Sequence, residues 1–350
     1  MVQSNLSSET AAISQNGFLT GSALGNLVDP VLWNDWHVVA KVDELAPETC
    51  RSARLLAIDL VLWRGQDHQI FAWSDRCPHR SVKLSNGSVI GNTLVCPYHG
   101  MVYDKTGHCV KVPAHPDYVP PKQACVRAFQ VQERYGLVFV CLGEPINEIP
   151  PFPEWKAPGY LNFLSGPHFC KTGGYRAIEN FLDVAHFPFI HANILGDPAM
   201  TAVEDYEVST DDRGVHLHNI KVWQPDPLGI GHGDYVVYQY SALRPLTAYL
   251  RKDTPTGECL TILYCVTPVS EEECIGWMWA SANFIDASQK AAAIAFQDTV
   301  FAQDLDNLES HNPKRLPLNP HAEFHVPCDR GSLAYRKWLK QLGITYGVIL

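Results

Sequence analysis

The 350-residue sequence has few charged residues and no long apolar run. Charged side chains make up 18% of the chain, and its densest apolar run, residues 55–63, is interrupted by Asp59, so we expect no transmembrane helix. Basic residues are scarce as well: 27 Lys and Arg stand against 37 Asp and Glu, which argues against a nucleic-acid partner. The first basic residue is Lys41, so the start of the chain lacks the basic segment of a secretory or transit peptide. We therefore expect a cytoplasmic protein.

Cysteine is present but is not arranged as a disulfide framework. The 11 cysteines are an odd number and are scattered along the chain, which favours reduced thiols with a few metal ligands among them. No Gly-x-Gly-x-x-Gly motif follows a predicted strand, so the sequence offers no flavin or nicotinamide site of its own. Hydrophobic residues make up 46% of the chain, which is enough for a packed core.

The pattern of breakers divides the chain into segments. Short strands separated by Gly, Pro, Asn and Asp predict an all-β first domain, with single strands over 53–63 and 89–95 among them. Five prolines between Pro145 and Pro158 exclude a helix or a central strand there. The predicted segments are a loose tail at 1–32, a first domain at 33–145, a Pro-rich linker at 146–158 and a second domain at 159–350. In the second domain we expect an antiparallel sheet with helices at 175–191, 286–310 and 331–343.

Two short segments each combine one cysteine with one histidine. Cys77 and His79 are followed by Cys96 and His99 in the pattern Cys-x-His-x16-Cys-x2-His. A zinc finger pairs its cysteines in one turn and its histidines in another, whereas each segment here supplies one of each. This symmetry fits a two-iron, two-sulfide cluster, with both cysteines on one iron and both histidines on the other. A Cys2His2 zinc site is the alternative.

The segments CPHR at 77–80 and CPYHG at 96–100 resemble the Rieske non-haem iron oxygenases. Only Met101 departs from the pattern, because the family usually has Trp at that position. The resemblance implies an α+β fold with two parts. An N-terminal all-β Rieske [2Fe-2S] domain would precede a helix-grip-like antiparallel sheet domain whose helices carry a mononuclear iron.

A second group of candidate ligands lies within 179–191. On a regular helix Asn180, Asp183 and His186 share a face because they recur every three residues. His191 would point about 140° away from His186, so we expect Pro188 to break the helix and let His191 return. Two histidines and a carboxylate are the ligand set of non-haem iron(II) centres that activate O2. The residues alone leave the carboxylate open among Asp298, Asp304, Asp306 and Glu309.

The family resemblance assigns roles within this group. Asp183, His186 and His191 match the family pattern Asp-x2-His-x4-His, and the Gln-Asp pair at 303–304 implies Asp304 as the third iron ligand. The resemblance also implies that Asp183 carries electrons between His186 and the second Rieske histidine, equivalent to His99, of a neighbouring subunit in a head-to-tail homotrimer. Asn180 is a candidate supporting residue on the same face.

The implied activity is a monooxygenase or dioxygenase reaction with O2 as co-substrate, which hydroxylates a C–H bond of a small organic molecule. Stretches at 36–40, 132–138, 186–191 and 334–340 resemble the cyanobacterial Rieske hydroxylases of the saxitoxin pathway, so an alkaloid is one expected substrate. Electrons must come from an external ferredoxin or NAD(P)H-dependent reductase, since the chain has no such motif. The alternatives are an O- or N-demethylase or desaturase on the same scaffold, a non-enzymatic Rieske electron carrier, and a zinc-stabilised binding module.

Overall fold

The computed structural model describes residues 29–229 and 231–350. Its helices are α1 (Pro30–Trp33), α2 (Gly174–Leu182), α3 (Phe187–Ile190), α4 (Lys290–Ser310) and α5 (Arg330–Gln341). The strands of the first half are β1 (His37–Lys41), β2 (Thr49–Leu55), β3 (Ile58–Arg64), β4 (Ile70–Ser74), β5 (Ser88–Ile90), β6 (Thr93–Val95), β7 (Val102–Tyr103), β8 (Cys109–Lys111), β9 (Ala128–Arg134) and β10 (Leu137–Cys141). Those of the second half are β11 (Leu161–Cys170), β12 (Glu207–Asp211), β13 (Gly214–Gln224), β14 (Asp234–Arg244), β15 (Thr247–Asp253), β16 (Cys259–Pro268), β17 (Cys274–Ala282), β18 (Leu316–Pro317) and β19 (Val348–Ile349).

The N-terminal part is all β, and its strands form two antiparallel sheets. One sheet has the order β1-β10-β9-β4-β3-β2 and the other β5-β6-β7-β8. The single strands predicted over 53–63 and 89–95 are wrong, because each is a hairpin. Leu56 and Ala57 have φ of 50° and 62°, the left-handed conformation that a two-residue hairpin turn requires, and Gly91 turns the second hairpin at φ 61°. The apolar run through residues 55–63 hides the first turn from a pattern-based prediction.

The C-terminal part is built on one antiparallel sheet of seven strands, in the order β11-β17-β16-β15-β14-β13-β12. Helix α2 packs on the strands β14 to β17 and helix α4 packs on β11. Sequence patterns predict strands at 203–208, 215–223, 235–242, 259–267 and 275–282. The first overlaps β12 only at residues 207–208, and β11 and β15 are missed. The predicted α+β class, an all-β domain followed by a sheet domain with helices, is confirmed.

The predicted linker is not an exposed coil. Ile149 and Phe152 are buried in one cluster with Trp36 of the first part and Trp277 of the second. The two parts also meet through Thr267, which donates a hydrogen bond to the carbonyl of Val38 on β1. Packing therefore continues across the predicted boundary at 146–158.

Residues 1–28 of the predicted tail lie outside the described residues, and the remainder of the tail is packed. Leu32 is buried on α1, and the Asp29 carboxylate accepts hydrogen bonds from the backbone N–H of Thr345 and of Tyr346. Helix α4 begins at Lys290 rather than Asp286, whose carboxylate instead accepts from the Ser288 N–H in a turn. In the ranges 29–229 and 231–350, no helix is long and apolar enough to span a bilayer.

Candidate metal centres

The two Cys-His segments form loops with the same backbone hydrogen bonds. In the first loop the Cys77 N–H donates to the Val82 carbonyl, and the Ser81 N–H donates back to the Cys77 carbonyl. In the second loop the Cys96 N–H donates to the Met101 carbonyl at 2.8 Å, and the Gly100 N–H donates back to the Cys96 carbonyl at 3.1 Å. The closing residue is left-handed in both loops, with φ of 59° at Ser81 and 66° at Gly100. The sequence therefore builds one loop twice, which gives the site its symmetry.

The four side chains of these loops lie together, with the cysteines inside and the histidines outside. Cys77 and Cys96 are buried at 1% and 2% exposure, whereas His79 and His99 are exposed and their ring centroids lie 4.7 Å apart. Partial burial, the charge of His99 and that of Arg80 all lower the pKa of His79, which favours the neutral imidazole that a metal needs. Two thiols beneath two imidazoles fit a [2Fe-2S] cluster with its histidine side facing outward.

The cluster site has a polar contact that the sequence did not reveal. The Tyr103 hydroxyl lies 3.1 Å from Cys77 Sγ, and it also lies 3.8 Å from Met101 Sδ. Tyr103 is fully buried, and burial raises the pKa of its phenol well above the ordinary value. It therefore stays protonated, and its O–H can donate to the thiolate sulfur. Met101 packs at the edge of the same core cluster, at the position where an aromatic residue was expected.

The second group of ligands does not lie on one helix, so the predicted shared helix face and its break at Pro188 are wrong. Helix α2 ends at Leu182, and Asp183 already has an extended backbone with ψ of 143°. Pro188 lies in the first turn of α3, where its missing N–H leaves no hydrogen bond unmade. The helix breaks before His186 rather than after it. The two histidines therefore flank the short helix α3, His186 before its first residue and His191 after its last.

His186, His191 and Asp304 converge on one point. Their ligand atoms all lie within 4.8 Å of one another, and Asp304 Oδ1 is 3.2 Å from His191 Nε2 and 3.5 Å from His186 Nε2. Asp304 Oδ1 is buried and has no hydrogen-bond partner among the described residues, as expected of an atom whose partner is a metal ion. Burial lowers the pKa of His191, but the neighbouring Asp304 carboxylate raises it overall. The donor set fits a facial two-histidine, one-carboxylate iron centre.

A hydrogen bond to the other ring nitrogen orients each imidazole. Asp183 Oδ2 lies 2.7 Å from His186 Nδ1 and also accepts the His186 backbone N–H. Although burial raises the pKa of Asp183, its hydrogen bond with His186 lowers it overall, so the carboxylate is the charged acceptor. Gln303 Oε1 lies 2.8 Å from His191 Nδ1. Both contacts leave Nε2 free for a metal. The sequence identified Gln303 only as part of a motif and gave it no role.

The other acidic candidates are occupied elsewhere or point away. Asp298 accepts a hydrogen bond from Ser165, Glu309 accepts one from the Lys171 N–H, and Asp306 is exposed. Asn180 lies in the wall of the cavity described next, and its side chain makes no hydrogen bond to His186 or any other described residue.

A cavity of about 530 Å³ opens beside the three candidate ligands, between the seven-stranded sheet and helices α2 and α4. Its walls include the apolar side chains of Phe181, Leu250, Ile262, Met278, Phe301 and Leu308. Ligand sites in proteins are typically concave, mostly apolar and of this size, with a few polar groups that fix orientation. The cavity therefore has room for a small organic molecule beside the candidate metal centre.

Comparisons with known proteins agree with both centres. Residues 35–130 match the Rieske [2Fe-2S] domain, and residues 175–344 match the vanillate O-demethylase oxygenase C-terminal domain. The chain is 34% identical to the methylxanthine N1-demethylase NdmA of Pseudomonas putida over 315 residues. This aligned stretch covers 88% of each chain. It is 27% identical to the vanillate O-demethylase oxygenase subunit of a Pseudomonas species, over 81% of this chain and 93% of that one.

A solved structure and a further relative complete the comparison. The structure of Pseudomonas putida NdmA with caffeine is similar at a TM-score of 0.77 and 30% identity, covering 89% of this chain and 91% of that one. A stretch of 116 residues is 40% identical to the oxidoreductase NdmD of Pseudomonas putida, but it covers 33% of this chain and only 20% of NdmD. The likeness to NdmD is therefore confined to a part of each protein.

NdmA and the vanillate O-demethylase oxygenase subunit are demethylases, so the narrower resemblance to saxitoxin-pathway hydroxylases is not what the comparisons support. The broader family prediction from the two motifs is confirmed, together with its cofactors and its enzymatic class. This chain belongs to the Rieske non-haem iron oxygenases, oxidoreductases that use a [2Fe-2S] cluster, a mononuclear iron and O2.

Proposed function

We propose that this enzyme removes a methyl group oxidatively from the nitrogen or oxygen of a small, planar organic molecule. The observation that carries the proposal is the apolar cavity of about 530 Å³ with His186, His191 and Asp304 in its wall. The demethylase relatives support this reaction rather than a hydroxylation whose product keeps its methyl group. Demethylation is itself a C–H hydroxylation, because the bond that is hydroxylated is a C–H bond of the methyl group.

The reaction balances with the co-substrate that the family uses. An N-methyl or O-methyl group, O2, two electrons and two protons give a hydroxymethyl group and water. The hydroxymethyl group then breaks its bond to nitrogen or oxygen, releasing formaldehyde and leaving N–H or O–H. The bound iron supplies the activation of O2.

The residues of the chain hold the metals and shape the site. We assign Cys77, Cys96, His79 and His99 to the cluster. We assign His186, His191 and Asp304 to the mononuclear iron, with the rings oriented by Asp183 and Gln303. The apolar walls hold the methyl group near the iron and exclude water, which protects the reaction from unproductive proton transfer.

Electron supply requires other chains in this proposal. A separate ferredoxin or reductase would reduce the cluster through the exposed edge of His79 and His99. Asp183 would then pass the electron from the equivalent of His99 in a neighbouring subunit to His186, in a head-to-tail homotrimer. Exposed aromatic side chains next to each centre support such a contact: Tyr98 is 62% exposed and Phe189 is 65% exposed. Contacts between protomers are a common place for such apolar surface.

A cationic alkaloid, the substrate class suggested by the saxitoxin resemblance, is a poorer occupant of this cavity. The cavity wall contains Lys252, which is buried at 3% exposure. In its protonated form Lys252 would repel a cation in a poorly solvated site. We therefore place N-methyl and O-methyl aromatic molecules ahead of cationic alkaloids.

The test is a single turnover of reduced enzyme. The holoenzyme is reduced anaerobically and exposed to O2 with caffeine, vanillate and related N-methyl and O-methyl aromatic compounds. We expect formaldehyde and a product lighter by one CH2 unit, and neither product from an Asp304→Ala variant. A product that gains one oxygen atom and keeps its methyl group, with no formaldehyde, would contradict demethylation and return the assignment to hydroxylation.

A further inference from the structure

Strand β15 places a lysine where an apolar side chain is expected. Along Thr247–Asp253 the buried face carries Ala248, Leu250 and Lys252, while the residues between them are partly exposed. Leu250 and Lys252 both line the cavity that contains the candidate iron ligands. The period-2 alternation of a strand thus points the Lys252 side chain to the interior.

Three Lys and Arg side chains are buried in the described ranges, 29–229 and 231–350: Arg176, Lys252 and Arg336. Lys252 differs from the two arginines. Arg176 and Arg336 share the carboxylates of Glu179 and Glu323, with N–O distances of 2.6 to 3.5 Å. The Lys252 ammonium group has no hydrogen bond and no ion pair with any described residue. Buried charges in proteins are normally paired with an opposite charge. No group of the described residues provides that opposite charge for Lys252.

The immediate surroundings of Lys252 are aromatic and fixed. Its Nζ lies 5.8 Å from the ring centroid of Tyr238, its register partner on β14. Gln224 holds Tyr238 in place, because its amide nitrogen donates to the Tyr238 hydroxyl at 2.9 Å and to the Leu195 carbonyl at 3.1 Å. The ring of Tyr238 is therefore held in a position where it can stabilise the ammonium charge by a cation–π interaction, but it does not neutralise that charge.

No carboxylate among the described residues of the cavity wall forms an ion pair with Lys252. Burial lowers the pKa of Lys252 to about 7, although the Asp226 carboxylate raises it from a distance. Asp226 also lines the cavity, but it is exposed and its Oδ1 already accepts the Gly231 N–H at 2.7 Å. Asp304, the remaining acid in the cavity wall, faces the two histidines. Neither acid forms an ion pair with Lys252.

We infer that Lys252 is the specificity-determining residue for substrates with an anionic oxygen, such as a carboxylate, at the end of the molecule that binds beside β15. The substrate would provide the counter-charge that the protein lacks, and the ammonium group would provide a charged hydrogen-bond donor in a mostly apolar cavity. The inference rests on the proposed function in one respect, since it takes the cavity as the substrate site. It adds the charge of the substrate, on which the named relatives differ, since vanillate carries a carboxylate and a methylxanthine carries none.

The test compares two probes of matched shape, benzoate and benzamide, which differ in charge. Both bind to anaerobically reduced holoenzyme, and their dissociation constants are measured by isothermal titration calorimetry. We expect benzoate to bind at least about tenfold more tightly than benzamide, as a single charge-assisted hydrogen bond would give. Equal affinities, or no detectable binding of benzoate, would overturn the inference.

Variants separate Lys252 from other sources of charge preference. In Lys252→Met the ratio of the two affinities should fall to about one, whereas Lys221→Met, a control on the exposed face of β13, should keep the wild-type ratio. A preference for benzoate that survives in Lys252→Met would assign it to the iron and reject our inference. The Met variant should also melt at a higher temperature than the wild type, because it no longer buries an unpaired charge. If it folds poorly, Lys252→Gln provides the same comparison.

The outcome is independent of the demethylation assay. Formaldehyde release without a charge preference would reject the role of Lys252 and leave the proposed function intact. A charge preference that depends on Lys252, without formaldehyde from any methylated compound, would reject demethylation and leave the recognition of an anion intact.

Discussion

The two metal centres of this protein differ in where their ligands lie. The proposed cluster ligands come from two surface loops of similar backbone, and their histidines are exposed. The proposed ligands of the mononuclear centre come from the two ends of α3 and from α4, and His191 is only 1% exposed in the wall of a cavity. A centre that only exchanges electrons must lie close to the surface, whereas a centre that activates O2 next to substrate must exclude water. The difference shows how one chain separates electron entry from chemistry.

Asp304→Ala should have the largest effect, because it removes a ligand from the buried centre alone. We expect iron content to fall from three to two per chain while the visible spectrum of the cluster stays, and product formation to fall by more than about 100-fold, beyond the loss from an orienting partner. Metal analysis and the formaldehyde assay measure both. Asp306→Ala, an exposed neighbour on α4, is the control. An Asp304→Ala enzyme with full iron content would show that the centres are not divided as proposed.

Asp183→Asn tests the connection between the centres rather than either one. The amide can still contact His186 Nδ1 but loses the negative charge, so both metals should remain while electron transfer slows by about 100-fold. Stopped-flow oxidation of the reduced cluster by O2 and substrate measures this step, with Asp212→Asn as a control on an exposed turn. Unchanged oxidation rates in Asp183→Asn would exclude the proposed path.

Tyr103→Phe should have the smallest effect, and it changes the cluster site rather than the mononuclear centre. The Tyr103 hydroxyl can donate to Cys77 Sγ, and this donor stabilises the more negative, reduced cluster. Its loss should lower the reduction potential and change turnover by less than about tenfold. Protein-film voltammetry measures the potential, with the exposed Tyr118→Phe as the control. A potential equal to or above the wild-type value would show that the hydroxyl does not donate to the sulfur.

The ease of prediction also differed between the two centres. Cys77, His79, Cys96 and His99 could be predicted from spacing, because each loop holds its two candidate ligands within a few residues. His186 and His191 were found as a pair, but the helix break between them was placed wrongly. The break lies at Asp183, where no proline or glycine marks it, since extended backbone there is set by the packing of α2 and by the contact with His186.

The sequence by itself was enough to predict the family by its motifs, the α+β class and the candidate ligands of both centres, because short-range spacing and residue chemistry carry that information. Only the tertiary structure decided that Gln303, 112 residues from His191, orients that ring, and that Lys252 faces the cavity without a partner. Contacts between distant strands and helices depend on register and packing across the whole sheet, and local patterns do not encode them.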